Sequence, residues 1–146
     1  MKVKIKRLNE KAVTPFKTYN RDFCYDCVAT SCEEIAPNIY KYGIGLAFEI
    51  DRTGFDGHNV SLDFRPRSSV WKTGMVLSNC TGTVDELYRG EVTAVFYHLY
   101  PNMPKYEVGD KIIQCKIGIT EPILFEIVNE LSETERGDGG YGSTGK

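Results

Sequence analysis

The sequence predicts an all-β fold, a sandwich or barrel of jelly-roll kind, and three observations support this. Short runs with apolar residues at every second position dominate the chain, as half-buried strands require. Clusters of Gly, Pro, Asp and Asn separate these runs. No stretch of ten or more residues carries an apolar stripe with helical spacing, so a helical fold is not expected.

The strand-like runs differ in how many of their faces are apolar. VKIKRL at 3–8 and IIQCKIGI at 112–119 each have one apolar face, with Gln114 on the polar face of the second run. EVTAVFYHLY at 91–100 alternates two largely apolar sets, which predicts burial on both faces. The other expected strands are FCYDCVA (23–29), YKYGIGLAFEI (40–50), NVSLDFRP (59–66), MVLSN (75–79) and PILFEIV (122–128).

The length of 146 residues favours a single domain that can bury a core without disulfides or a structural metal. A net charge of −2 argues against a nucleic-acid partner, because such binding needs a basic surface. No apolar run approaches the roughly 18 residues of a membrane span, and the basic N-terminus lacks the apolar block of a signal peptide. We therefore expect a cytoplasmic protein with neither a nucleic-acid nor a membrane partner.

The five cysteines are an odd number in a chain with no recognisable export signal, which favours reduced thiols over a disulfide framework. Cys24 and Cys27 form a CxxC pattern, which raises the possibility of zinc. A separation of three residues on a strand points the two sulfurs to opposite faces, and no second CxxC follows. We therefore expect small buried or half-buried thiols.

The composition changes sharply near the C-terminus. Residues 136–146, RGDGGYGSTGK, contain five glycines and no aliphatic side chain. Ordering a residue costs about 1–2 kcal/mol, so this segment cannot anchor itself by burial. We expect a folded domain at 1–134 and a flexible C-terminal segment at 135–146. A simple linker would not need the Arg, Tyr, Ser and Thr that this segment carries.

The segment NCTGTVDELYRGE at 79–91 places a carboxylate, Asp85, three residues before the aromatic ring of Tyr88. A carboxylate can orient and deprotonate a water molecule or accept a hydrogen bond from a sugar hydroxyl. An aromatic ring can close one side of a sugar pocket. Taken alone, the segment is equally consistent with an ordinary surface hairpin.

Three other polar segments suit phosphate chemistry. In PRSS at 66–69 the guanidinium of Arg67 and the neighbouring hydroxyls match phosphate oxygens. Asp26 interrupts an apolar strand and could hold the water shell of Mg²⁺. Gln114 in GDKIIQ could bind a phosphate or point into water. Each residue also has a plain surface explanation, and Trp71 beside PRSS is expected to pack.

In chain order, Asp26, PRSS, NCTGTVDELYRG, GDKIIQ and RGDGGYGSTG resemble the five motifs of the trimeric dUTPases. The resemblance spans about residues 22–145. It implies jelly-roll subunits assembled as a homotrimer, with each active site drawing on all three chains. It also implies hydrolysis of dUTP to dUMP and pyrophosphate with Mg²⁺, which keeps uracil out of DNA and supplies dUMP.

The resemblance assigns the nucleoside end of the site to one motif. Asp85 would hold the region of the deoxyribose 3′-hydroxyl and orient the water that attacks the α-phosphorus. Tyr88 would lie against the sugar and leave no room for a ribose 2′-hydroxyl. Asn79 and the backbone after it, including Gly82, would read uracil in a β-hairpin pocket too narrow for the methyl group of thymine.

The other motifs would serve the metal and the phosphates. Asp26 would bind Mg²⁺ through water. The C-terminal segment would act as a lid, with Tyr141 stacked on uracil. The residues expected to contact substrate phosphates are Arg67, Ser68, Ser69, Gln114, Arg136, Ser143 and Thr144.

Two alternatives of related fold remain open. One is a dCTP deaminase, for which GTVDELYRG and the terminal glycine motif are the wrong signature. The other is a non-catalytic nucleotide-binding or regulatory protein, which would not need Asp85 or a complete C-terminal motif. The sequence departs from the family at Cys24, where glycine is usual, and at Tyr141, where phenylalanine is more usual.

Overall fold

The computed structural model describes residues 1–140 and folds them into ten β-strands and one 3₁₀ helix, Ser68–Thr73. The strands, numbered in chain order, are β1 (Val3–Arg7), β2 (Tyr25–Val28), β3 (Ser31–Ala36), β4 (Ile39–Gly43), β5 (Leu46–Ile50), β6 (Asn59–Pro66), β7 (Met75–Leu77), β8 (Gly82–Asp85), β9 (Thr93–His98) and β10 (Lys111–Thr120). The all-β prediction is confirmed.

The strands form three antiparallel sheets. β1 pairs with β5, the first four-stranded sheet has the order β2-β10-β6-β8, and the second has the order β3-β4-β9-β7. Apolar side chains from both four-stranded sheets share one buried core. At its centre the rings of Tyr42 and Phe96 meet edge to face with centroids 5.8 Å apart, and Tyr42 Oη donates to the carbonyl of Tyr106 at 2.8 Å. Because the apolar side chains of the first sheet point into this core, the side chains that alternate with them along each strand lie on the outer face of the sheet.

The apolar run at 40–50 is two strands rather than one. The chain turns at Gly45, whose φ of 68° lies in the left-handed region that favours glycine. β4 therefore joins the second sheet, whereas β5 pairs with β1. The segment Ser31–Ala36, which the sequence analysis left without an assignment, pairs with β4 as β3.

The prediction that residues 91–100 are buried on both faces is wrong for the single chain. In β9 the side chains of Ala94, Phe96 and His98 are buried, while Tyr97 on the other face is 43% exposed. The expectation that Trp71 packs is also wrong, since 70% of this residue is exposed.

The strand predicted at 122–128 does not form in the single chain. Residues 121–134, all of which the structure describes, have no strand or helix. Most of their large apolar side chains face outwards, with Leu124 95% exposed and Ile127 fully exposed. We call residues 121–134 the C-terminal arm. The strand prediction is therefore wrong for the chain as described, where residues 1–140 offer this segment no pairing strand.

The five cysteines are free thiols. Cys27 on β2 and Cys115 on β10 are buried in the core, and their sulfurs lie 3.8 Å apart. The hydrogen bond with Cys115 and the burial raise the pKa of the Cys27 thiol well above its usual range. Within residues 1–140 no helix combines the length and the apolar character that a membrane span needs.

Candidate active site

The first cluster of expected site residues lines a cavity of about 380 Å³ at the β2 edge of the first sheet. Asp26 of β2, Gln114 of β10, and Arg67 and Ser68 at the start of the 3₁₀ helix all contribute to its wall. We call these four residues the phosphate cluster. The sequence motifs that supply them are far apart in the chain, and the strand order β2-β10-β6 brings them together.

Local sequence explains the position of the arginine. Arg67 is extended, with φ of −78° and ψ of 155°, and the 3₁₀ helix begins directly after it. The helix ends at Gly74, whose φ of 61° lies in the left-handed region that favours glycine, and a Cβ there would also lie 3.0 Å from atoms of Tyr100 and Met103. The guanidinium is thereby held beside β2 rather than extended into solvent.

Asp26 is bonded to two cations. Its Oδ1 accepts from Arg67 Nε at 2.9 Å, and its Oδ2 lies 3.1 Å from Lys111 Nζ. The Asp26 side chain is only 14% exposed, so these contacts compensate a carboxylate that is largely withdrawn from water. Of the two cations, Arg67 lies in the cavity wall, where substrate phosphates are expected.

Lys111 is a residue that the sequence analysis missed. Strict alternation along β10 puts Lys111 and Gln114, three residues apart, on opposite faces. The structure has a register shift between Lys111 and Ile113, a β-bulge that buries both Ile112 and Ile113. The bulge turns Lys111 to the same side as Asp26. Two consecutive isoleucines were the available signal, since regular alternation buries only one of them.

The other two residues expected at the phosphates differ in what they contact. Gln114 lies directly opposite Asp26 across the strands, and its Nε2 donates to the carbonyl of Pro66 at 3.0 Å. The Ser69 hydroxyl accepts from Arg67 Nη1 at 3.3 Å. Ser69 therefore contacts the arginine, whereas Ser68 lines the cavity.

Asp85 lies on the outer face of the same sheet, at its β8 edge. It is exposed and borders a second, open cavity of about 980 Å³. Ser61 of β6 lies opposite Asp85, and Asp63 is two residues further along the same strand. Asp63 forms an ion pair with Lys116 of β10 at 3.1 Å and accepts a hydrogen bond from Ser61 at 2.9 Å. Burial acts to raise the pKa of Asp63, but the hydrogen bonds from Ser61 and Lys116 outweigh it and lower the pKa.

Tyr88 follows Asp85 in a tight turn, closed by a hydrogen bond of 3.0 Å from the Tyr88 amide to the Asp85 carbonyl. The ring folds back over Gly90, and its hydroxyl donates to the carbonyl of Glu91 at 3.0 Å. A side chain at Gly90 would overlap the Tyr88 hydroxyl, so the arrangement needs glycine there. Nearly half of Tyr88 remains exposed and available to a ligand.

Asn79 and Gly82 line a small cavity of about 110 Å³ between the two large sheets. The loop that joins them turns at Cys80, a non-glycine residue with a positive φ of 56°. The flanking strands do not form the expected hairpin, because β7 belongs to the second sheet and β8 to the first. The loop is instead a connection between sheets that leaves a narrow slot beside the core.

The two halves of the expected site do not meet within one chain. Asp26 and Asp85 share the outer face of the first sheet, but three strand spacings separate them, or about 14 Å. Along the strands, Asp26 is level with Arg65 and Asp85 is level with Ser61, an offset of about 13 Å. The two carboxylates are therefore about 20 Å apart.

The expected lid is only partly within the described residues. Arg136 is exposed, and its Nε donates to the carbonyl of Gly139 at 2.9 Å, a contact inside the same segment. Among residues 1–140, no hydrogen bond or ion pair joins Arg136 to the phosphate cluster. Tyr141, Ser143 and Thr144 lie outside the described residues.

The residues around Asp26 would bind Mg²⁺ only together with water and substrate phosphates, not as a complete protein site. Within residues 1–140 no group of three or more His, Cys, Asp or Glu side chains could enclose a metal. Mg²⁺, however, keeps several waters and commonly takes one or two carboxylates plus substrate phosphates. Asp26 lies on the wall of a cavity with room for phosphates and water, but its two carboxylate oxygens already face Arg67 and Lys111, so it would hold Mg²⁺ only through an intervening water.

Comparison with known proteins identifies the family of the chain. A family model described as dUTPase matches residues 13–145. The chain is 37% identical to the deoxyuridine 5'-triphosphate nucleotidohydrolase of Nautilia profundicola, with 100% of both chains covered. It is 36% identical to the protein of that name from Corynebacterium glutamicum, covering 99% of this chain and 95% of that one. The chain belongs to the dUTPase family.

Solved structures support the fold of this dUTPase family member. A point mutant of the dUTPase of Staphylococcus bacteriophage 80alpha, solved with dUpNHpp, superposes with a TM-score of 0.79 at 22% identity. The match covers 99% of both chains. The jelly-roll prediction is confirmed. A mutant dUTPase of phage phi11 of S. aureus, with a TM-score of 0.62 and 20% identity, is described with a structural Mg(II) ion.

Proposed function

We propose that the protein hydrolyses dUTP to dUMP and pyrophosphate at active sites that each combine residues from different copies of the chain. Membership of the dUTPase family supports the reaction. The observation that carries the shared site is the separation of about 20 Å between Asp85 and Asp26 on one sheet face. A water held by Asp85 must lie about 3–3.5 Å from the phosphorus that it attacks. The phosphate cluster of the same chain is too far away to hold that phosphate.

The C-terminal arm supports assembly of identical copies. Leu124, Phe125, Ile127 and Leu131 are each at least 86% exposed. Burying one such side chain stabilises a protein by about 1.5–3 kcal/mol, and a monomer that leaves all four exposed lacks this stabilisation. Exposed apolar segments of this size mark interaction sites in soluble proteins.

The same protomer offers a surface that such an arm could occupy. An apolar cavity of about 310 Å³ lies between β1 and β10, and Val3, Ile5 and Ile117 are among the side chains that line it. Within the described residues β1 pairs only with β5, so its outer edge has free backbone donors and acceptors. We propose that the arm of one copy adds as a strand to β1 of the next, within a homotrimer.

The chemistry at the shared site is an in-line attack of water on the α-phosphorus. Asp85 of one copy orients the water and accepts its proton. Arg67, Ser68 and Gln114 of the neighbouring copy contact the phosphate oxygens and oppose the negative charge that develops on them. When bound, Mg²⁺ neutralises phosphate charge, and Asp26 would hold it through water.

The remaining residues serve specificity and closure. Tyr88 lies against the deoxyribose and excludes a 2′-hydroxyl, while Asn79 and the Gly82 backbone read the uracil edge in the slot between the sheets. Arg136, Ser143 and Thr144 close over the outer phosphates, with Tyr141 on uracil. Charge-assisted contacts to a triphosphate offset the cost of ordering this segment, so closure depends on substrate.

One assay separates this proposal from its alternatives. The purified protein is incubated with Mg²⁺ and either dUTP or dCTP, and pyrophosphate and ammonia are measured. Pyrophosphate from dUTP is expected. Ammonia from dCTP would indicate the deaminase, and binding of dUTP without either product would indicate a regulatory protein. Sedimentation of the same sample should give three times the mass of the chain, whereas a monomer with full activity would refute the shared site.

A further inference from the structure

The turn that carries Tyr88 is anchored by Glu91, a residue with no role in the proposed chemistry. The Glu91 side chain leaves the turn and reaches the corner between β4 and β5, where its Oε1 accepts the backbone amide of Gly45 at 2.8 Å. Its backbone carbonyl accepts the hydroxyl of Tyr88 at 3.0 Å. One residue therefore joins a fixed corner of the fold to the ring expected to contact the sugar.

The absence of a side chain at Gly43 leaves room for the Glu91 carboxylate. A Cβ at Gly43 would overlap Glu91 Oε1, and it would lie 2.6 Å from the hydroxyl of Ser31. Gly43 thus leaves open the position that the carboxylate occupies. The Ser31 hydroxyl is itself held there by the Gly43 amide, which donates to it at 3.2 Å.

The corner itself is rigid. The carbonyl of Gly45 accepts from the Leu8 amide at 2.8 Å, and the carbonyl of Gly43 accepts from the Thr30 amide at 2.8 Å. Gly45 needs its positive φ, and added side-chain atoms would meet Ala12 and Thr30 within about 3.1 Å. An anchor attached to such a corner has little freedom to move.

The other side of Glu91 is equally constrained. The next residue, Val92, is buried and donates its amide to the Leu46 carbonyl at 2.9 Å. On the solvent side, Gly90 gives the Tyr88 ring room to fold back to the Glu91 carbonyl. The height of the ring above the turn is therefore set by the position of Glu91.

We propose that Glu91 is a positioning residue that holds Tyr88 at the height that separates deoxyribose from ribose. This inference rests on the proposed function, in which Tyr88 excludes the 2′-hydroxyl. Loss of the carboxylate removes the side-chain link from Glu91 to the Gly43–Gly45 corner, so the turn that carries the ring is held there only through the backbone of Val92. A ring displaced by about 1 Å admits the extra hydroxyl, and misplacements of that size can change rates by about 10²-fold.

The test compares the ratio of kcat/KM for dUTP to kcat/KM for UTP in wild type, Glu91→Ala and Glu91→Gln. Glutamine keeps the length and an acceptor oxygen for the Gly45 amide, so it should retain most of the selectivity. Alanine should lower the ratio by about tenfold or more, through faster use of UTP. Glu33→Ala, which removes an exposed glutamate paired with Lys41 on the second sheet, is the matched control.

An unchanged dUTP/UTP ratio in Glu91→Ala, or an equal loss in Glu91→Gln, would overturn the inference. Thermal unfolding of each variant is measured in parallel. Where Glu91→Ala does not fold, Glu91→Asp takes its place, because it withdraws the carboxylate by one methylene and should lower the ratio in the same direction. Failure of wild type to hydrolyse dUTP would refute the proposed function instead, and the two failures are therefore distinguishable.

Discussion

Replacing Arg67 with lysine tests whether the phosphate cluster needs a planar fork or only a positive charge. Arg67 donates through Nε to Asp26 at 2.9 Å and through Nη1 to Ser69 at 3.3 Å. A lysine ammonium is a single point and cannot occupy both positions. In the proposed mechanism Arg67 also contacts phosphate oxygens, so a lysine held by Asp26 should lose at least one charge-assisted hydrogen bond to the substrate, worth about 1.5–3 kcal/mol. Since about 1.4 kcal/mol is a factor of ten, kcat/KM for dUTP should fall by about 10- to 150-fold.

The measurement is pyrophosphate release over a range of dUTP concentrations, with thermal unfolding as a check on the fold. The matched control is Arg65→Lys, an exposed arginine two residues earlier at the end of β6 and outside the wall of the phosphate cavity. Arg65→Lys should change kcat/KM by less than about threefold, as exposed substitutions usually have small effects. An Arg67→Lys variant within threefold of wild type would refute the reasoning, because a point charge would then suffice.

Three further changes test other parts of the account. Asp85→Asn should abolish turnover, because the amide cannot accept a proton from water. Calorimetry should still show near-normal binding of a non-hydrolysable dUTP analogue. Near-normal turnover would contradict the role proposed for Asp85. Truncation after Thr134 should preserve the unfolding temperature and lose most activity, and retained activity would show that the lid is incidental. Asp63→Asn should cost about 1–3 kcal/mol at neutral pH by leaving Lys116 unpaired. Because the Asp63 pKa is lowered on folding, its stabilisation is fully present above the usual pKa near 4 and is lost as the pH falls through the lowered folded-state pKa, so the stability difference between the two proteins should shrink as the solution is acidified below pH 4.

The fold class was predictable because period-2 alternation survives wherever one strand face is buried. β6 follows its sequence pattern closely, with Val60, Leu62 and Phe64 buried and the residues between them more exposed. The break at Gly45 was missed, since a glycine inside an apolar run gives no sign that the next strand changes sheet. The predictions for the outer face of β9 and for the C-terminal arm were wrong for one shared reason: a pattern shows that a surface is apolar, not that the rest of the chain covers it.

The candidate site also contains residues that the sequence identified and residues that it did not. The resemblance identified Asp26, Arg67 and Gln114, and the structure places these three around one cavity. It gave no indication of Lys111, whose direction depends on a β-bulge, or of Glu91, whose partner amide lies 46 residues away. Contacts made through a bulge or to a distant backbone amide leave no periodic signal in a sequence.

The central claim is that Asp85 and the phosphate cluster act across a boundary between copies, and mixing two inactive variants tests it most directly. Asp85→Asn and Arg67→Ala are purified separately and co-refolded in equal amounts, with each variant refolded alone as the control. In a cyclic trimer of random composition, about one quarter of the sites join an intact Asp85 to an intact Arg67 of the neighbouring copy. The mixture should therefore recover about a quarter of wild-type dUTP hydrolysis. A mixture as inactive as its two components, at a sedimentation mass that shows mixed trimers have formed, would contradict the account.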